Sequence, residues 1–167
     1  KDNKLLLGKT DPNSDNFDVL LFARRDIESV DIPSNIKIIS NSAFAGCDGL
    51  KTVNIPENSE LQSICAHAFS LSKIDSIYIP QHVTKIGANA FFLCLDLKNI
   101  SFSSKSELEY LDSRVFSSLK IKQICIPSNV SEIHNMAFAF STIKLLEISE
   151  NSKLKSINGF LSNTNSV

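Results

Sequence analysis

A seven-residue phrase returns along this chain every 22 to 25 residues, and it constrains the fold more than any other feature. It reads Ile-Glu-Ser-Val-Asp-Ile-Pro at 27–33, with close copies at 50–56, 74–80 and 121–127 and looser copies at 97–103 and 143–149. Self-similarity at such a period is the signature of a solenoid. A solenoid binds through its long faces, so the residues on those faces are the first candidates for a functional role.

Apolar residues hold fixed positions in each repeat. A phenylalanine recurs as the largest of them, at Phe44, Phe69, Phe91, Phe116 and Phe138. An aliphatic residue stands five positions before each one, at Ile39, Ile64, Ile86, Leu111 and Ile133. One repeat cannot bury such a set, whereas stacked repeats lay each column on its neighbour. The columns therefore predict one continuous core.

The Val-x-Ile ending of each phrase alternates as a β-strand does. Val30 and Ile32 point inward, while Ser29 and Asp31 point outward. Successive strands then run parallel, roughly 4.8 Å apart. The short Ala-Phe segments predict a helical or 3₁₀ turn. The predicted fold class is a right-handed superhelical repeat solenoid with one parallel strand per coil.

The repeats decay at both ends. Residues 1–26 are interpreted as a degraded first coil or an N-terminal cap. In this segment Phe22 precedes Phe44 by one period, Leu21 takes the alanine position, and Phe17 takes the aliphatic column. Residues 27–157 form the predicted solenoid. In 158–167 the phenylalanine column falls on Ser162 although the nearest aromatic residue is Phe160, which predicts a broken or truncated last coil. The first residue, Lys1, suggests a piece of a longer protein.

The composition narrows the classes of partner that we expect this chain to bind. The chain has 167 residues, 17 basic and 18 acidic, for a formal net charge of −1. That balance favours neither nucleic acid nor an anionic membrane surface as a partner. The sequence has no apolar run of the roughly 20 residues that a membrane span needs, and no secretory signal pattern. We therefore expect no membrane contact by this segment.

The candidate chemical groups do not converge on a catalytic or metal site. Cys47 and Cys94 share a column two coils apart, about 10 Å, which is too far for a disulfide. Cys125 faces outward from a strand. Cys65 and His67 suggest a nucleophile and base, but a turn is expected to point them apart. Without a phosphate-binding loop or a metal motif, the sequence predicts neither an enzyme nor a cofactor.

The outward strand positions form polar ladders across the predicted sheet. One ladder reads Asp31, Asn54, Tyr78, Ser101, Cys125 and Glu147. A parallel ladder of small polar residues includes Gln123. Aromatic residues are enriched at binding hot spots, so Tyr78 is the candidate anchor. The candidate partner-binding face comprises Asp31, Asn54, Tyr78, Ser101, Gln123 and Glu147. The alternative is a solvated sheet face.

Two further surface features leave alternatives open. Lys98, Lys122 and Lys144 stand at the start of three successive strands, where they either meet an acidic partner or line a solvated edge. Asn99 and Asn129 begin Asn-x-Ser sequons. Asn129 follows a turn proline and is the better glycan acceptor if the protein is secreted, because a glycan on Asn99 would crowd the strand.

The repeat resembles the BspA-type leucine-rich repeats, whose pattern runs roughly Leu-x-x-Ile-x-Ile-Pro-x-x-Val-x-x-Ile-Gly-x-x-Ala-Phe-x-x-Cys. The repeat from Ile74 to Cys94 follows it nearly throughout, with Ile79-Pro80, Ile86-Gly87 and Ala90-Phe91. The similarity covers about residues 17–157, and the 17–27 stretch resembles the lead-in found in trichomonad surface proteins. Most repeats lack the glycine, and only two keep the final cysteine.

The resemblance implies a leucine-rich-repeat fold and, more loosely, a non-catalytic segment of a cell-surface protein that adheres to host or neighbouring cells. It implies a protein or glycan ligand contacted over several coils. The alternative is an intracellular, cytoplasmic scaffold for protein–protein assembly. Four unpaired cysteines fit a reducing compartment slightly better. The oligomeric state and the identity of the ligand stay open.

Overall fold

A computed structural model describes residues 4–159, which form a β-solenoid of about six turns with parallel strands along the coils. The fold class expected from the repeat is thereby confirmed. Each coil contributes one longer strand at its repeated phrase. These strands are β3 (Ser29–Asp31), β5 (Thr52–Asn54), β7 (Ser76–Ile79), β9 (Asn99–Phe102), β11 (Lys120–Ile126) and β13 (Thr142–Ile148). They pair parallel as β3–β5 and as β7–β9–β11–β13.

A second, two-residue strand follows in every coil, which the sequence did not predict. These strands are β4 (Ile38–Ile39), β6 (Ser63–Ile64), β8 (Lys85–Ile86), β10 (Tyr110–Leu111), β12 (Glu132–Ile133) and β14 (Ser156–Ile157). Each contributes one inward aliphatic residue, so Ile39, Ile64 and Ile86 stack in register. A two-residue strand is too short to show the period-2 alternation by which strands are recognised.

The predicted helical or 3₁₀ turn does not form, because the Ala-Phe segments are stacked turns and no helix occurs within residues 4–159. Ser42 has a φ of 57°, in the left-handed region, which prevents continuation of a right-handed helical turn. His67, Asn89, Arg114 and Met136 repeat this conformation in the following coils. Backbone N–H groups consequently point along the solenoid axis: Phe44 N donates to Ala68 O, and Phe69 N to Ala90 O. The turns thus form a third hydrogen-bonded ladder between coils.

The core is the stack of columns expected from the repeat. The five phenylalanines of the Ala-Phe turns are fully buried. Their rings stack from coil to coil with centroids 4.8 to 5.6 Å apart. Stacked aromatic pairs add to the stability given by area burial alone. The core therefore continues through successive coils as one apolar rod.

The N-terminal end closes with a hairpin of β1 (Leu5–Gly8) and β2 (Val19–Ala23), which pair antiparallel. The expectation that Phe22, Leu21 and Phe17 head core columns is wrong, because all three are more than 40% exposed. Leu20 takes the aliphatic column instead, in register with Ile39. The hairpin fixes this register, and it shortens the first coil below the period of the later ones.

At the opposite end the columns become exposed. Leu154 packs partly against the core, and Ile157 is 48% exposed. The predicted break at Phe160 and Ser162 lies outside the described residues. The boundaries proposed for the end segments, at 26/27 and 157/158, therefore stay predictions.

Candidate functional site

The outward side chains of the longer strands form one polar surface, here called the ladder face. The strand register places Asp31 beside Asn54, Tyr78 beside Ser101, and Gln123 between Asn99 and Leu145. All six candidate residues, Asp31, Asn54, Tyr78, Ser101, Gln123 and Glu147, lie on this surface. The structure therefore brings the predicted set together on one side of the solenoid. Its role in binding stays a prediction.

Hydrogen bonds between coils hold several of these side chains in place. The amide of Asn54 donates to the Asp31 carboxylate over 2.7 Å, and the amide of Gln123 donates to Glu147 over 2.7 Å. Gln123 belongs to the neighbouring ladder, so the second bond runs diagonally across the strands. Because these partners are on a stiff sheet, the face presents a fixed pattern of donors and acceptors to a ligand.

Tyr78 differs from the rest of the face because its side chain is half-buried. It lines a shallow concavity together with Asn54, Ser76, Asn99 and Ser101. The concavity lies where the sheet is interrupted, since β5 and β7 are neighbours without a regular strand pairing. An aromatic ring at the wall of a depression that also contains the amides of Asn54 and Asn99 is suited to anchor a ligand that hydrogen-bonds to those amides.

A second concavity lies farther along the same face. It is lined by Ser101, Gln123 and Cys125 from the strands and by Ser103 and Ser128 from the turns that follow. The Cys125 thiol lies 3.4 Å from the Ser149 hydroxyl. The ladder face is thus a wide polar surface with two shallow depressions.

The cysteines occupy the environments that their columns predicted. Cys47 and Cys94 are fully buried, and Cys125 is exposed. Burial raises the pKa of the Cys94 thiol to about 11. Burial also raises the pKa of Cys47, against a smaller opposing effect from the Arg25 guanidinium. Both thiols are protonated at neutral pH and therefore weak nucleophiles.

The histidines make contacts that the sequence did not reveal. His82 lies 3.2 Å from the Glu107 carboxylate of the next coil. Hydrogen bonds from Gln81 and His82 lower the pKa of Glu107. His134 lies between Glu132 and Asp112 and stacks on Tyr110. A periodicity argument misses such contacts because they join positions that differ in type from coil to coil.

Cys65 and His67 form no hydrogen bond with each other in the part of the chain that the structure describes. His67 has a φ of 56°, and its backbone N–H donates to Ala88 O of the next coil. Across residues 4–159, no three His, Cys, Asp or Glu side chains come together in a way that could hold a metal ion. No described helix is long and apolar enough to span a bilayer.

The structure gives the Asn129 sequon a second role. The Asn129 Nδ2 donates to Ser106 O over 2.7 Å, and its Oδ1 accepts from Lys153 Nζ over 2.7 Å. A glycan attached at Nδ2 would compete with the first bond. The Asn129 side chain therefore links three successive coils. The Asn99 side chain, in contrast, is exposed on the ladder face.

These features define the chain as a leucine-rich-repeat solenoid with a polar strand face. The BspA type leucine-rich repeat region, in six copies, matches residues 17–145, and the chain belongs to that family. Proteins of this family are typically surface-associated, and their repeats generally bind proteins and are typically non-catalytic. No curated protein matches the chain.

Two solved structures are similar. The pneumococcal vaccine antigen PcpA is 31% identical with a TM-score of 0.70, over 74% of this chain and 31% of that chain. The T. pallidum leucine-rich repeat protein TpLRR is 23% identical with a TM-score of 0.67, over 94% of this chain and 69% of that chain. The chain thus spans less than a third of the length of PcpA. The similarity to TpLRR supports the fold alone.

Proposed function

We propose that this chain is a non-catalytic binding segment of a cell-surface protein and that it mediates adhesion to host or neighbouring cells. The observation that carries the proposal is the ladder face: in-register polar side chains around a half-buried Tyr78. Its ligand is a protein or glycan that contacts several coils at once, because repeat arrays distribute binding along their length. Membership of a typically surface-associated repeat family supports this assignment.

The test measures binding of the purified chain to intact cells and to immobilised matrix proteins. Tyr78→Ala is expected to weaken binding about tenfold or more, as loss of an aromatic anchor does. Tyr110→Ala is the matched control, because Tyr110 is the other tyrosine of the chain and lies on β10, away from the ladder face. Its binding is expected to stay within about twofold of the parent.

Equal binding by all three proteins would remove Tyr78 from the contact surface. Absence of binding by the folded parent chain would remove this segment from the adhesive role. Circular dichroism and a urea midpoint for each protein separate a lost contact from a lost fold, because both tyrosines are half-buried.

An intracellular assembly scaffold is the second candidate, and the four free thiols favour it. It uses the same face and differs in location. An antibody against residues 27–157, applied to intact and to permeabilised cells that make the protein, distinguishes the cell-surface segment from the intracellular scaffold. Staining of intact cells supports the surface assignment, whereas staining that requires permeabilisation supports the scaffold.

A further inference from the structure

Four lysines gather where β9, β11 and β13 begin. This lysine cluster comprises Lys98, Lys120, Lys122 and Lys144, all of them exposed. The backbone N–H of Lys122 donates to Lys98 O over 3.1 Å. The register on either side, Ile121 with Ile143 and Gln123 with Leu145, places Lys122 next to Lys144. Lys98, Lys122 and Lys144 therefore form a row along the solenoid axis, and Lys120 lies beside this row on β11.

The positive charge of the cluster is not neutralised within residues 4–159. None of the four ammonium groups makes an ion pair or hydrogen bond there, whereas Lys37 pairs with Asp18 over 3.4 Å. Of the acidic residues nearest in the fold, Asp75 and Asp96 form no ion pair with the cluster, and the Glu147 carboxylate accepts from Gln123.

The spacing of the cluster is set by the sheet. Stacked coils hold the Cα atoms of neighbouring lysines about 4.8 Å apart, and the Cα atoms of Lys120 and Lys122 lie about 6.6 Å apart along one strand. Like charges on side chains that start so close together repel. The folded core beneath them, including Ile121 and Ile124, is fully packed and keeps them together. The repulsion among the four cations is therefore overcome when the chain folds. An anionic ligand does not have to bring the cations together when it binds.

The surroundings indicate what kind of anion fits. Asn99, Gln123 and Thr142 border the cluster with amide and hydroxyl groups, and Leu145 is exposed beside Gln123. Protein partners usually require an apolar centre with aromatic residues. A stiff chain that carries repeated sulfate or carboxylate groups requires only cations and hydrogen-bonding groups.

We propose that the lysine cluster binds a linear sulfated polysaccharide that runs along the solenoid axis across β9, β11 and β13. This inference rests on the proposed function, because it names a class of cell-surface ligand for the same strands. It assigns the polysaccharide to the start of the strands and leaves Tyr78 to a separate contact.

The test measures affinity of the chain for heparin, for chemically desulfated heparin, and for poly-glutamate, at several salt concentrations. The parent chain is expected to bind heparin with an affinity that falls steeply as salt rises, since ion release accompanies such binding. Desulfated heparin and poly-glutamate are expected to bind at least about tenfold more weakly. Equal or tighter binding of poly-glutamate would overturn the proposal in favour of an acidic peptide.

A matched pair of triple variants locates the site. Lys98→Gln/Lys122→Gln/Lys144→Gln is expected to lower heparin affinity about tenfold or more and to flatten the salt dependence. Lys85→Gln/Lys105→Gln/Lys155→Gln removes the same charge from exposed positions elsewhere and is expected to change affinity by about twofold at most. Equal losses in the two variants would mean that only net charge matters, and would overturn the proposal.

Cell binding separates this inference from the adhesive proposal. If the parent chain binds cells but not heparin, adhesion stands and the polysaccharide assignment is wrong. If it binds heparin through the lysine cluster but not cells, the assignment stands and the adhesive role is wrong.

Discussion

The rings of Phe44 and Phe69 stack in parallel, with centroids 4.8 Å apart and planes inclined by 1°. The two residues belong to consecutive coils, so the distance between their rings reflects the spacing between adjacent coils. The same contact recurs along the column, where Phe91 and Phe116 stack at 5.6 Å. The stacked rings therefore favour the alignment in which each coil lies in register with the next.

Phe91 lies in the middle of this column, and its replacement by alanine should empty a fully buried site. Phe91→Ala is expected to lower the free energy of unfolding by about 3–5 kcal/mol. The measurement is the urea midpoint. Phe140→Ala is the control, because the Phe140 side chain is 60% exposed, and its midpoint should hardly move. Equal midpoints for both variants would contradict the position of Phe91.

The thiols should differ in accessibility. In the native protein a thiol reagent is expected to modify Cys125 first, while Cys47 and Cys94 stay protected by burial. Denaturation without reductant should release four thiols per chain. A count of two would reveal a disulfide, and would contradict the separation of Cys47 and Cys94 by two coils.

The raised pKa of Cys94, about 11, predicts a loss of stability in alkali. The unfolded chain has an ordinary thiol pKa of about 8.5. Above that pH the unfolded state releases a proton that the native state keeps, so the free energy of unfolding falls as pH rises towards about 11. The contribution reaches about 3 kcal/mol.

Urea midpoints from pH 7 to 11 for the parent and for Cys94→Ser measure this contribution. The serine variant lacks the titrating group, and its hydroxyl can replace the bond that Cys94 Sγ donates to Phe69 O over 2.9 Å. The parent curve should fall more steeply. Parallel curves would show that Cys94 does not titrate in the expected range.

Gly87 lies where the backbones of two coils come close together. A Cβ at this position would lie 2.7 Å from the backbone N of Ala66. Gly87→Ala is therefore expected to destabilise the solenoid by about 1–3 kcal/mol, because backbone must shift to relieve the overlap. Cys65→Ala is the control in the same column, where a side chain is already accommodated. Thermal midpoints compare the two, and an unchanged Gly87→Ala midpoint would contradict the close approach.

The sequence predicted those parts of the fold that repeat. Columns such as Phe44 to Phe138 identify the coil without structural knowledge, because each position recurs in several copies. The left-handed turn residues were not predictable in this way, since Ser42, His67 and Met136 share no side-chain property. The N-terminal register was mispredicted for a different reason. Phe22 fits the period, but pairing with β1 sets the register of β2 so that Leu20, not Phe22, enters the core.

The candidate face was predictable as a set and not in its contacts. Alternation along the strands identified Asp31, Asn54 and Tyr78 as outward residues. The bond between Gln123 and Glu147 crosses from one ladder to the other, so a column-by-column analysis does not contain it. The half-burial of Tyr78 depends on the interruption between β5 and β7, which no repeat position signals.

The most direct test of the ladder face as the binding surface uses Cys125 as a built-in attachment point. In a Cys65→Ser background, a polyethylene glycol maleimide on the exposed Cys125 covers the ladder face around β11. The control carries the same polymer at position 85 on β8, which belongs to the two-residue strands and not to the ladder face. It is made with Lys85→Cys and Cys125→Ser in the same Cys65→Ser background. Binding to cells should be lost when Cys125 carries the polymer and kept when position 85 does. Loss at position 85 with full binding by the protein modified at Cys125 would show that the ladder face is not the binding surface.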